Sequence, residues 1–218
     1  MIPVIFEDND IVAIDKPENL ASIPTRVAGE ETVLSLLTPR FPGKLFVVHR
    51  LDKEVSGVML FAKNAEAHKR LNAQFFNRSV KKTYLLIAHG VIAEDSGIID
   101  KPVRQFGSGR MGVDEVKGKQ SATRFSIIQR TDKFSLVRAM PLSGRRHQIR
   151  VHFYSIGHSI VGDVRYGSKA AQQPFPRLML HAASIAFALP SGEIKTVEAP
   201  LPQLIGNFLA TLGMSAPF

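Results

Sequence analysis

The sequence predicts an α+β fold with a largely antiparallel mixed sheet and a few helices flanking its strands. Two patterns lead to the sheet. Strand-like apolar runs recur along the whole chain, and several are separated by short polar turns of hairpin length, such as Asp-Asn-Asp, Thr-Asp-Lys and Ser-Gly-Glu. Helix-period segments are few and do not alternate regularly with strands, so parallel βαβ winding is not expected.

In order, PVIFEDNDIVAIDKP reads as two short strands around the Asp-Asn-Asp turn, and Glu30 to Leu37 as a short helix stopped by Pro39. LFVVHRLD is a strand ending in charge, and VSGVMLFAK is the next strand. Between Ala65 and Asn77 the period becomes helical, with Asn64 as N-cap and Leu71 and Phe75 at i, i+4. TYLLIAHGVI is a continuous apolar strand, expected to be buried on both faces. Residues 103–120, with four glycines and four Lys/Arg, read as a mobile basic excursion. SATRFSIIQ and FSLVRAMP form a hairpin. After SGRR, Ile149, Phe153 and Ile156 repeat at helical spacing, and Gly157 ends that helix. RLMLHAASIAFALP and IKTVEAP make a last pair of strands.

The chain has 218 residues, enough for one sizeable core, and a single domain over 1–218 is expected. Without cysteine it has no disulfide framework and no thiolate metal site, which fits a reducing, cytoplasmic setting. The N-terminus lacks the pattern of a secretory signal, and no apolar run approaches a membrane span. The net charge is +9, and residues 101–150 alone hold 12 Lys/Arg against 3 Asp/Glu. Such a concentrated basic region is the footprint of a polyanion binder, nucleic acid before all else.

Three constellations carry chemistry. In VVHRLDKEVSG, Asp52 sits among His49, Arg50 and Lys53 where an apolar strand runs out. It is either a structural ion-pair partner or a carboxylate held ionised by nearby cations on a rigid strand end. PLSGRRHQIRVHF packs Arg145, Arg146, His147, Arg150 and His152 into eight positions. On a helix, Arg150 would share a face with Arg146 and His147. It is flanked by Ile149 and Val151, so it needs a carboxylate partner from elsewhere, unless the whole segment is a solvated basic face. In KKTYLL, Tyr84 follows Lys81 and Lys82, either to stack on a base or to cap the core. No metal-binding motif is present. Nor is there GxGxxG or GxxxxGK[ST], and GSGRMG lacks the lysine and context of a phosphate loop. No metal and no cofactor are expected.

HRLDKEVSG, KKTY, SGRRHQIRVH, VGDVRYG and LMLHA stand in the order and spacing of the RluA family of RNA pseudouridine synthases, and the chain resembles that family from DNDIVAIDKP to EAPLP. The resemblance implies the pseudouridine synthase fold and isomerisation of uridine to pseudouridine in a tRNA or rRNA stem-loop. The uridine is flipped from the stack, and one aspartate is required. It assigns Asp52 as the catalytic carboxylate and Arg50 as the residue entering the RNA where the uridine has left. Tyr84 packs on the flipped base, and Arg150 pairs with Asp52. Around these, His49, Lys82, Arg104, Arg110, Lys117, Lys119, Arg145, Arg146 and His147 are the expected RNA contacts. The partner is RNA, with no membrane and no metal, and the protein is expected to act as a monomer without an appended N-terminal RNA-binding domain.

Two positions depart from the family pattern: Val55 stands where a threonine is usual, and Ser143 replaces the threonine of Thr-Gly-Arg. Three chemical routes through the aspartate stay open: attack on the sugar, addition to the ring, and proton abstraction leading to a glycal. An RNA chaperone on the same fold would have no use for Asp52. A metal-dependent nuclease would need several carboxylates around one cleft.

Overall fold

The computed structural model describes residues 1–24 and 29–215. They form two compact units. The first comprises Met1–Lys82 and Ala182–Pro200, the second Thr83–His181 and Leu201–Phe218.

In the first unit, β1 (Val4–Glu7) and β2 (Ile11–Lys16) form the expected opening hairpin. The Asp8 carboxylate closes its turn by accepting the N–H groups of Asp10 and Ile11. β2 pairs antiparallel with β4 (Ser56–Ala62), whose SGVMLFA run is buried throughout. β3 is only Phe46–Val47 and also pairs with β4. The expected longer strand through HRLD therefore stops early, and His49 to Lys53 lie in irregular backbone. Most of β11 (Leu180–Ala188) belongs here and pairs with β12 (Ile194–Glu198) as expected. Helix α1 is Val33–Leu37, opened by a Thr32–Ser35 capping box. The α-helix ends at Leu37 as expected, and Pro39 sits in the first turn of a 3₁₀ segment, Thr38–Arg40, that follows it.

Helix α2 (Ala65–Phe76) begins at Asn64, whose side chain accepts the Ala67 N–H. It lays Ala67 and Leu71 into a core that includes Leu60, Ile185 and Phe187, with Phe75 partly buried against the same cluster. Gly57, with φ near +117°, is required: a Cβ there would lie 2.2 Å from the Ala182 carbonyl oxygen.

The second unit is an antiparallel sheet in the order β5 (Thr83–His89 of Lys81–His89), β10 (Phe134–Pro141), β9 (Ala122–Arg130), β6 (Ser96–Asp100). The β9–β10 hairpin is as expected. Leu85 to Ala88 are buried, as the apolar run TYLLIAHGVI requires.

Residues 103–120 are not an irregular excursion. Their first half folds as a two-stranded hairpin, β7 (Val103–Gln105) and β8 (Met111–Val113). Val103 and Met111 are buried against Val151 and Tyr166, apolar anchors that the glycine-rich composition hid. Helix α3 (Gln148–Ser155) starts later than expected. A short helix, α4, covers Lys169–Gln172, and a final one, α5 (Gln203–Thr211), buries Ile205 and Leu209. No described helix is long and apolar enough to cross a membrane.

Candidate active site

Asp52 sits half-buried in the loop between β3 and β4, where hydrogen bonds fix the backbone on both sides of it. The buried Ser22 hydroxyl donates to the Leu51 carbonyl at 2.7 Å and accepts the Leu51 N–H at 3.1 Å. Lys16, fully buried at the end of β2, donates from Nζ to the carbonyls of Pro17 (2.7 Å) and Lys53 (3.1 Å). The Val55 N–H closes the turn onto the Asp52 carbonyl at 3.1 Å. A buried lysine thus ties this loop to the end of β2. Val55 itself is 2% exposed. The methyl group that replaces the family's usual hydroxyl fills core.

Arg50 is exposed. His49 is not a cation directed at phosphate. Its Nε2 accepts the Leu60 N–H at 2.9 Å, and its ring stacks on Phe75 with centroids 5.0 Å apart. Burial, and then the charge of Lys82, push its pKa from 6.5 down to about 3. Sequence reasoning placed it with the RNA contacts because a histidine in a basic run looks exposed. Burial, followed by the charge of Arg78, also brings Lys82 down to about 8.

The His49 shift has a sign that can be checked. Between pH 6.5 and about 3 the unfolded chain takes up a proton at His49 and the folded chain does not. Stability should therefore fall as pH drops below 6.5, by up to about 1.4 kcal/mol per pH unit from this group. His49→Gln keeps an acceptor for Leu60 without the titration. Chemical denaturation from pH 7 to 4 should show a shallower acid loss for the variant, and equal slopes would contradict the assignment.

In the second unit, Arg150 is 2% exposed and has a carboxylate partner that sequence reasoning did not name. Asp163 takes its Nε at 2.8 Å and its Nη2 at 2.9 Å, a bidentate pair. The Oδ1 of Asp163 also accepts the N–H groups of Arg165 and Tyr166, each at 3.1 Å. Gly162 makes room for this turn: its φ is +77°, and a Cβ would fall 1.8 Å from the Arg177 carbonyl oxygen. The VGDVRYG block carried the signal, because an Asp held between a glycine and an aromatic is a built turn.

Tyr166, 1% exposed, lies under the Arg150 guanidinium with 5.3 Å between charge and ring centroid. Its hydroxyl accepts the Met111 N–H at 3.3 Å and lies 2.6 Å from His147 Nδ1. Burial pushes its phenol pKa up.

Arg146 and His147 do not share a helix face with Arg150, because the helix begins after them. His147 adopts a left-handed backbone (φ 53°), and Arg146 is exposed before it. Gln148 fixes this turn. Its Oε1 accepts from Ser143 Oγ (2.7 Å) and the Arg145 N–H (3.1 Å), and its Nε2 donates to the Ala122 carbonyl (2.9 Å) and Thr123 Oγ1 (3.1 Å). Ser143 thus retains the hydroxyl of the family's threonine. His152 points inward to Thr123 Oγ1 (2.9 Å) and the Lys101 carbonyl (3.0 Å), and its burial lowers its pKa.

Tyr84 is half-buried on β5, in register with Ala139. Lys117 and Lys119 are exposed. Arg110 lies over the rings of Tyr154 and Tyr166 at 5.6 and 5.3 Å. Arg104 is largely engaged within its own hairpin, bonded to Asp114 at 3.2 Å and resting on Phe106.

The first unit thus holds Asp52 in a loop fixed through its backbone, and the second holds Arg150 in a buried bidentate pair and Tyr84 on β5. Comparison with known proteins gives the family. Residues 10–155 match the RNA pseudouridylate synthase family model. A dual-specificity RNA pseudouridine synthase RluA of Vibrio cholerae is 37% identical over 203 residues, covering 91% of this chain and 82% of its own. An uncharacterized RNA pseudouridine synthase of Zymomonas mobilis is 38% identical, covering 92% and 94%. Among solved structures, human RNA pseudouridylate synthase domain containing 1 superposes with a TM-score of 0.79 at 30% identity, covering 93% of this chain and 84% of that one. The chain belongs to the RNA pseudouridine synthase family, and within it to the RluA type; it is an isomerase that forms pseudouridine in RNA.

Proposed function

We propose that Asp52 is the catalytic carboxylate, that Tyr84 packs on the flipped uracil, that Arg50 enters the gap it leaves, and that Arg150 is the cation serving Asp52. We infer that both units act as one catalytic domain, on a tRNA or rRNA stem-loop, as a monomer in the cytoplasm. The observation that carries this reading is the immobilised loop around Asp52: Ser22, Lys16 and the Val55 N–H hold the backbone on either side of it. A carboxylate needed only for a surface ion pair would not require such support.

Isomerisation breaks the bond from the ribose to N1 and makes one to C5, so the C5 hydrogen is lost to solvent. RNA labelled with tritium at uridine C5 therefore reports turnover directly. Anticodon and rRNA stem-loop transcripts should release tritium with wild-type protein, and an excess of chelator should leave the rate unchanged. Strand cleavage restored by divalent metal would support a nuclease instead.

The exposed Lys117 and Lys119 are the strongest phosphate contacts proposed in the basic quarter of the chain. Replacing both with alanine should weaken stem-loop binding and flatten its salt dependence by roughly 0.7 to 0.9 of a slope unit per lost contact. Replacing Arg104 should do less, because Asp114 already holds it. An unchanged slope in the double-lysine variant would place that segment away from RNA.

A further inference from the structure

We propose that the corner joining α2 to β5, residues 69–82, is a second RNA-docking surface: Phe76 stacks on an unpaired base beside the target, and Lys69, Arg78 and Lys81 take the adjoining phosphates. The proposal rests on the RNA substrate inferred above.

Four observations meet at this corner. Phe76 is 87% exposed, while Ala67 and Leu71 of the same helix are buried and Phe75 packs against the core. Lys69, Asn72 and Phe76 follow one another at i, i+3, i+7 and are all exposed, so they form one outward stripe. Next, the chain that follows the first turn of α2 is rich in cations. From Ala67 to Ala93 the chain holds five Lys/Arg and no Asp or Glu, a run hidden by the neutral average outside residues 101–150. Arg70 is taken by Asp10 and Glu66, whereas no described carboxylate pairs with Lys69, Arg78 or Lys81.

The third observation is backbone strain. Arg78 ends α2 with φ 58°, where a glycine would sit without cost. A charged side chain is kept at the position that least suits one. The last is proximity to the reacting loop. Phe75, adjacent to Phe76, stacks on His49 at 5.0 Å, three residues before Asp52. The charge of Lys82 acts on His49, and that of Arg78 acts on Lys82.

A lone exposed phenylalanine is ordinary on a protein surface. On a segment whose exposed Lys69, Arg78 and Lys81 pair with no described carboxylate, it has the composition of a single-strand platform, where aromatic rings stack on bases while cations follow the backbone. A paired stem hides its base faces within the stack, so the occupant is an unpaired nucleotide of a loop.

The test measures binding of a labelled anticodon stem-loop and of a fully paired RNA duplex to full-length variants. Phe76→Ala should weaken stem-loop binding roughly tenfold, with an unchanged salt slope, unchanged duplex binding, wild-type melting temperature and unchanged turnover at saturating RNA. Phe76→Trp should restore affinity. Arg78→Gly should melt at or above wild type, since it relieves the left-handed strain, yet bind less tightly with a flatter salt slope. Wild-type affinity in Phe76→Ala, equal losses on stem-loop and duplex, or an altered oligomeric state in place of an RNA defect would each overturn the proposal. If wild type itself neither binds RNA nor releases tritium, the functional reading fails first, and the two failures are told apart.

Discussion

Asp52→Asn is expected to lose pseudouridine formation by several orders of magnitude while keeping its fold and its RNA. The substitution is nearly isosteric, and the loop is held through backbone atoms of Leu51, Lys53 and Asp52 itself, none of which depends on the carboxylate charge. Melting temperature should therefore stay close to wild type. Binding should change by no more than about tenfold, because phosphate contacts dominate RNA affinity. Tritium release measures the first quantity, and filter binding at fixed salt measures the second. Substantial turnover by purified Asp52→Asn would end the assignment of this residue.

The second large effect is expected at Arg150 and Asp163, and here stability and activity should fall together. Both side chains are almost wholly removed from water, at 2% and 0% exposure, and they share a bidentate bond. Deleting either charge takes a buried bidentate partner from the other. Arg150→Met and Asp163→Ala should each cost about 3 to 5 kcal/mol, measured by urea unfolding. Asp163→Asn keeps an acceptor for the Arg165 and Tyr166 N–H groups and should lie between Asp163→Ala and wild type. Activity per folded molecule separates the two roles. If Arg150 serves Asp52 as proposed, Arg150→Met should lose orders of magnitude in turnover even at temperatures where it is fully folded. Retained turnover in folded Arg150→Met would confine this residue to packing.

Much of the fold was legible because local signals agreed. The Asp-Asn-Asp turn, the Asn64 cap, the buried SGVMLFA run and the β9–β10 hairpin each combine pattern with turn chemistry. The errors fall where tertiary contacts decide. The β7–β8 hairpin is held by Met111 on Tyr166, two residues 55 apart in sequence that no local window joins. The start of α3 is set by Gln148 bonding to Ser143, Ala122 and Thr123, so Arg146 and His147 fall outside the helix despite its periodicity. Asp52 stood out as a lone carboxylate among cations where an apolar run ends, and Arg150 as a cation between Ile149 and Val151. Lys16 and Ser22, which hold the loop of Asp52, did not, since a lone Lys or Ser becomes informative only once its partners are known.

Mapping pseudouridine across total RNA from the native host, with the chromosomal copy intact, deleted, or carrying Asp52→Asn, tests the central claim most directly. At least one uridine in a tRNA or rRNA stem-loop should be modified in the intact strain and unmodified in both others, and a plasmid-borne wild-type copy should restore it. An identical pseudouridine map in all three strains, or a site lost on deletion but kept in the Asp52→Asn strain, would contradict it.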